Sequence, residues 1–100
     1  MFDKIMTQMQ EQAAQIKKRL DNTVVEAEAE NGLVKITATG NKKILSIEIN
    51  EKIAGNKETV EDFVILAVNK VLEKAEEIAQ KETKSMAKNV LPDGLGNIFG

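Results

Sequence analysis

Residues 23–49 constrain the fold more than any other stretch, because their alternation and their turns agree on one register. In TVVEAEAE, Val25, Ala27 and Ala29 share one face, and Glu26, Glu28 and Glu30 share the other. Asn31-Gly32 follows, the pair best suited to a two-residue type I′ hairpin, whose central positions both need positive φ. With that loop, Ala29 meets Val34, Ala27 meets Ile36 and Val25 meets Ala38, so apolar residues oppose apolar ones throughout. A four-residue loop, Gly40 to Lys43, then sets Ala38 against Leu45, Ile36 against Ile47 and Val34 against Ile49. On the opposite face Glu28, Lys35 and Glu48 line up as an alternating-charge row suited to water. A slip of one residue would bury these charges, so the register specifies itself. The expectation is a three-stranded antiparallel meander with one apolar face and one wet face.

The segment before the meander reads as a helix. Phe2, Met6, Met9, Ala13, Ile16 and Leu20 recur at intervals of four and three, close to the 3.5-residue period of a coiled-coil seam. Such a narrow seam suits a helix lying on its own domain. It equally suits one paired with another long helix, in the same chain or in a second subunit. Asp21-Asn22 supplies the stop.

After Asn50-Glu51 the sequence predicts an irregular link through Gly55-Asn56. Thr59 then stands three residues before Asp62, a capping pattern with acids in the first turn. From there a helix can run without Pro or Gly to about Lys88, roughly 29 residues or about 43 Å. Its first half, FVILAVNKVL, is apolar nearly all round, so it needs neighbours on two sides. The sheet is one, and the other is the first helix or a second copy of the protein. A second copy would take Phe63, Val64, Ala67, Val68, Val71, Ala75 and Ile78 as its interface. The second half keeps a thin stripe of Ala75, Ile78, Ala79 and Met86 and should overshoot the sheet as an arm. The expected architecture is α+β: N-terminal helix, three-stranded antiparallel meander, long C-terminal helix. Residues 1–90 form one domain in this reading, and 91–100, which hold the only proline and three of the six glycines, form a flexible tail.

Composition removes most chemistries. The chain has no cysteine, histidine, tryptophan or tyrosine, so thiolate and imidazole ligands, the usual nucleophile–base pairs and stacked aromatic sites are excluded. GLG at residues 94–96 lacks the frame of a phosphate-binding loop, and Glu61-Asp62 and Glu76-Glu77 read as helix-surface charges. No catalytic, metal, cofactor or small-molecule site is expected. The longest apolar run, Phe63 to Val68, is too short for a bilayer and the N-terminus lacks a signal-peptide core, which points to the cytoplasm. Net charge is −2, so attraction to a polyanion must come from the placement of the cations. Three groups qualify: Lys17, Lys18 and Arg19 at the end of the first helix, Lys42 and Lys43 at the second hairpin, and Lys81, Lys84 and Lys88 on one face of the arm. Taken alone, each is an ordinary solvated terminus or turn.

GLVKITATGNKKILSIEI, then an acidic link, then VEDFVILAVNKVLEKAEEIAQKETKSM ahead of LPDGLG, resembles the YbaB/EbfC family of bacterial nucleoid-associated proteins over nearly the whole chain. The resemblance implies a small, cytoplasmic, tweezer-like homodimer that associates with the nucleoid and binds duplex DNA, with effects on nucleoid organisation and gene expression. It makes the three cationic groups the candidate DNA contacts. Arg19 is the sole arginine, so bidentate guanine readout has almost no candidate and binding should run through phosphates and shape. The alternative is a protein–protein interaction or assembly module that uses its helical arms, with weak or no DNA binding. The net negative charge favours that alternative.

Overall fold

The computed structural model describes residues 2–90, with side chains through Ser85. The tail at 91–100 and the side chains of Met86 and Lys88 therefore lie outside the described residues. In chain order the elements are α1 (Phe2–Asp21), β1 (Val24–Ala29), β2 (Val34–Thr39), β3 (Ile44–Ile49), α2 (Glu51–Ala54) and α3 (Lys57–Val90). The architecture is the expected α+β one, and the sheet is an antiparallel meander of order β1-β2-β3.

The β1–β2 register matches the sequence reading, with Ala29 opposite Val34, Ala27 opposite Ile36 and Val25 opposite Ala38. Asn31 and Gly32 both take positive φ, as a type I′ turn requires. Glu30 takes positive φ as well, so the strands stop at Ala29 and Val34 and the loop holds four residues.

The second hairpin departs from expectation. Its loop has three residues, Gly40 to Lys42, closed by the Thr39 N–H donating to the Lys43 carbonyl at 2.9 Å. The Lys42 N–H returns to the Thr39 carbonyl at 2.9 Å, and Lys42 sits in the left-handed region at φ +69°. This is the type I turn plus left-handed residue that three-residue hairpins favour. One residue fewer in the loop sets Ala38 opposite Ile44, not Leu45. A bulge between the Thr37 and Ala38 pairings then absorbs the offset, and Ile36–Ile47 and Val34–Ile49 pair as expected. The row Glu28, Lys35, Glu48 is also in place.

The link after β3 is not irregular. Asn50 caps the single turn of α2 by accepting from the Lys52 N–H at 2.8 Å. Asn56 in turn caps α3: its side-chain oxygen accepts from the Thr59 N–H at 3.2 Å. Thr59 is therefore inside the helix, which begins two residues earlier than the Thr59 cap implies. The earlier Asn outcompetes the Thr because a cap must stand at the end of the helix, and Lys57 and Glu58 are free to be helical.

At 34 residues α3 is about 51 Å long, against about 20 Å for six-residue strands. It packs across β1 and β2, and Ala67, Val71 and Ala75 are wholly buried against Val25, Ala27, Ala29, Val34, Ile36 and Ala38. Lys70 and Lys74 extend from it to the Glu28 and Glu26 carbonyls at 3.2 and 2.7 Å, so α3 runs opposite to β1 and continues past its start. The Gly40 N–H bonds the Thr23 carbonyl, so odd residues of β1 face β2 and the Glu26 and Glu28 carbonyls line the free edge.

β3 lies outside the helix's reach. Every residue in it is exposed, including Ile44, Leu45, Ile47 and Ile49, and on α3 Ile65 and Leu66 face out as well. The apolar first half of α3 thus has the sheet as one neighbour and, within a single chain, open surface on its outer side.

α1 packs on α3, running back along the overshooting arm and not over the sheet. Only Ile16 and Leu20 of its seam are buried. Its C-terminus is pinned by Gly40, whose N–H donates to the Leu20 carbonyl at 3.0 Å. A Cβ at Gly40 would stand 2.9 Å from the Leu20 side chain, so the approach demands glycine for room. The molecule is 62 × 23 × 15 Å with a radius of gyration of 18.4 Å, against about 13 Å for a compact chain of this length.

Candidate nucleic-acid interface

The three cationic groups that the sequence separates are drawn together where the arm leaves the sheet. The β2–β3 turn lies against the last turn of α1: Asn41 donates through Nδ2 to the Lys17 carbonyl at 3.0 Å and to the Asp21 carboxylate. The turn's next residue, Lys42, reaches α3, where its Nζ stands 2.6 Å from Glu76 Oε2. Arg19, two residues before the end of α1, reaches Glu82 one and a half turns further along the arm at 3.2 Å. Asn41 carried no signal in the sequence as a site residue, yet it fixes the turn to α1. An Asn in a hairpin is usually read for its backbone, and here its side chain does the work.

Lys17, Lys18 and Lys43 are exposed around this junction, and Lys81 and Lys84 are exposed along the arm. Lys17, Lys18, Arg19, Lys42 and Lys43 form the basal group, and Lys81 and Lys84 extend it outward. A shallow groove beside it is lined by Gln12, Gln15, Lys18, Arg19, Asn22, Thr23 and Glu82. Its walls are amides, a hydroxyl and charges, which suits a hydrated polar ligand.

Two acids sit among the cations. The hydrogen bond from Lys42, helped by one from Gln80 at 3.3 Å and by the Lys42 charge, holds the Glu76 carboxyl below its ordinary value of 4.5. Lys42 and Arg19 are thus each paired within the chain. Both pairs are solvent-exposed, so they are weak and readily exchanged for another anion.

Of the residues considered for contact with a second copy, Ala67, Val71 and Ala75 are fully buried in the chain's own core. Phe63, Val64, Val68 and Ile78 are partly buried beside it. The apolar surface left open lies on β3 and on Ile65 and Leu66. Among the described residues no helix is long and apolar enough to cross a membrane.

Comparison with known proteins agrees with this geometry. A Helicobacter pylori protein of uncharacterized function, known from a crystal structure, has the same fold at a TM-score of 0.79 over 85% of this chain and 91% of its own, with 16% identity. A nucleoid-associated protein of Flavobacterium johnsoniae is 34% identical, covering 94% of this chain and 91% of that protein. Another from Neisseria meningitidis serogroup C is 38% identical, covering 92% and 86%. The family model described as the YbaB/EbfC DNA-binding family matches residues 1–90, and the chain belongs to that family.

Proposed function

We propose that the protein binds duplex DNA as a homodimer, through phosphates and groove shape with little sequence preference. In this reading it acts on the nucleoid in the cytoplasm, and changes in gene expression follow from nucleoid organisation. The observation that carries the proposal is the convergence of Lys17–Arg19 and the Lys42–Lys43 turn at the root of an arm bearing Lys81 and Lys84. Lys88 continues the same spacing in the sequence. Neighbouring exposed lysines suit a line of phosphates better than a point ligand, because backbone charges recur at regular short intervals. The one arginine is held by Glu82, which leaves base-edge readout without a free guanidinium among the described residues.

The second copy covers β3 and the outward residues of α3. Exposed Ile44, Leu45, Ile47 and Ile49 beside an unpaired strand edge are the kind of surface that association hides. The functional unit is residues 1–90, and no catalytic step is assigned to it.

A gel shift on unrelated duplexes across a salt series tests the DNA reading. With about six phosphate contacts per dimer, affinity falls roughly a thousandfold between about 50 and 200 mM salt. A protein–protein module predicts a different pattern. There, changing Lys42, Lys43, Lys81, Lys84 and Lys88 to Gln leaves function intact, and no duplex shifts even at low salt.

A further inference from the structure

The outer half of α1 presents an apolar face that nothing in the described structure covers. Phe2, Ile5, Met6 and Met9 fall at i, i+3, i+4 and i+7, so they form one stripe, and Phe2 is 81% exposed. The seam they continue is buried only at Ile16 and Leu20.

The position of α3 says what arrives there. Arg19 pairs with Glu82, and from that point α3 runs on toward the N-terminus of α1. It ends at Val90, eight residues and about 12 Å further along. That is the rise of α1 from Arg19 back to about Glu11, the near end of the uncovered stripe. The ten residues that follow Val90 therefore start beside it. Extended, they reach up to about 33 Å, and the stripe from Met9 to Phe2 spans only about 10 Å.

Their composition fits a covering strand of chain. Leu91, Leu95, Ile98 and Phe99 stand against a single charged side chain, Asp93. Pro92, Gly94 and Gly96 prevent α3 from simply continuing past the stripe. We propose that residues 91–100 lie back across the outer face of α1 of the same chain, so that Leu95, Ile98 and Phe99 cover Phe2, Ile5, Met6 and Met9. The tip of the arm is then a closed unit and not an open apolar end.

The chain's lack of tryptophan and cysteine makes the test clean. Phe2→Trp in the full-length protein should emit at shorter wavelength than a free indole in water and resist acrylamide. Adding Leu95→Asp and Phe99→Asp should shift the emission red and raise quenching several-fold. Water-like emission from Phe2→Trp alone, or blue-shifted emission that survives the two aspartates, overturns the proposal. Separately, a Met6→Cys, Ile98→Cys protein is oxidised. A disulfide within one 11.0 kDa chain supports the assignment. Cross-linking only between two chains shows that a second copy occupies the face, and no cross-link shows that the tail is elsewhere. Either result rejects it.

Discussion

Lys42 is a lysine in a conformation that favours glycine. Its φ of +69° costs a non-glycine residue about 1 kcal/mol, and its side chain is spent on Glu76. Lys42→Gly should relieve that strain, leaving stability unchanged or raised by up to about 1 kcal/mol, while weakening DNA binding at low salt. Denaturant unfolding and a gel shift on the same sample separate the two effects, and a joint loss of fold and affinity would contradict the assignment. Glu76 competes with phosphate for the same ammonium group. Glu76→Gln should therefore tighten low-salt binding, by about twofold for so exposed a pair. Because the Glu76 pKa is lowered, its pairing is complete above the ordinary carboxylate value and is lost only as pH falls through the lower folded value. The wild-type and Glu76→Gln affinities should accordingly keep a constant ratio through neutral pH and converge in acid. At this scale the sequence told little. Nothing local distinguished Lys42 from Lys43, since an ion pair across 34 positions of chain is set by the packing of three elements.

Elements were far more legible, and their misses share a cause. The first hairpin and both registers followed from alternation, because burying one face leaves a single low-energy pairing. The loop before β3 came out one residue shorter, since a left-handed lysine is tolerated where the sequence offers no second glycine, and a bulge conserved the apolar pairs. The start of α3 was misplaced for a similar reason: two residues three apart, Asn56 and Thr59, both make good caps, and local chemistry does not rank them. The structure gives the role to Asn56. Asn56→Ala should cost about 0.5–2 kcal/mol, and Thr59→Ala only a few tenths, as thermal or urea unfolding of the two variants will show. Equal losses would mean that the helix starts at Thr59. The uncovered β3 was not foreseen, because an alternating strand reads the same whether its partner is a helix in the same chain or a surface on another.

For the whole molecule, length and exposure carry the argument. A chain of 100 residues stretched over 62 Å cannot enclose its own apolar surface, and β3 is where the deficit shows. Replacing Ile47 by Asp should shift sedimentation at micromolar concentration to the 11.0 kDa species and lower apparent DNA affinity, because each half then brings only its own phosphate contacts. An Ile47→Asp protein that still sediments as a pair would place the contact elsewhere.

The two lysines on the Glu26 and Glu28 carbonyls have a consequence for how far association proceeds. A sheet with two bare edges can keep adding strands, the route by which edge pairing becomes fibre growth. Here α3 lays Lys70 and Lys74 along the outer rim of β1, engaging the acceptors an incoming strand would need and placing positive charge in its path. Only the β3 side is left open among the described strands. When two such sheets meet there, both outward rims are β1 rims, already occupied, and growth terminates at two.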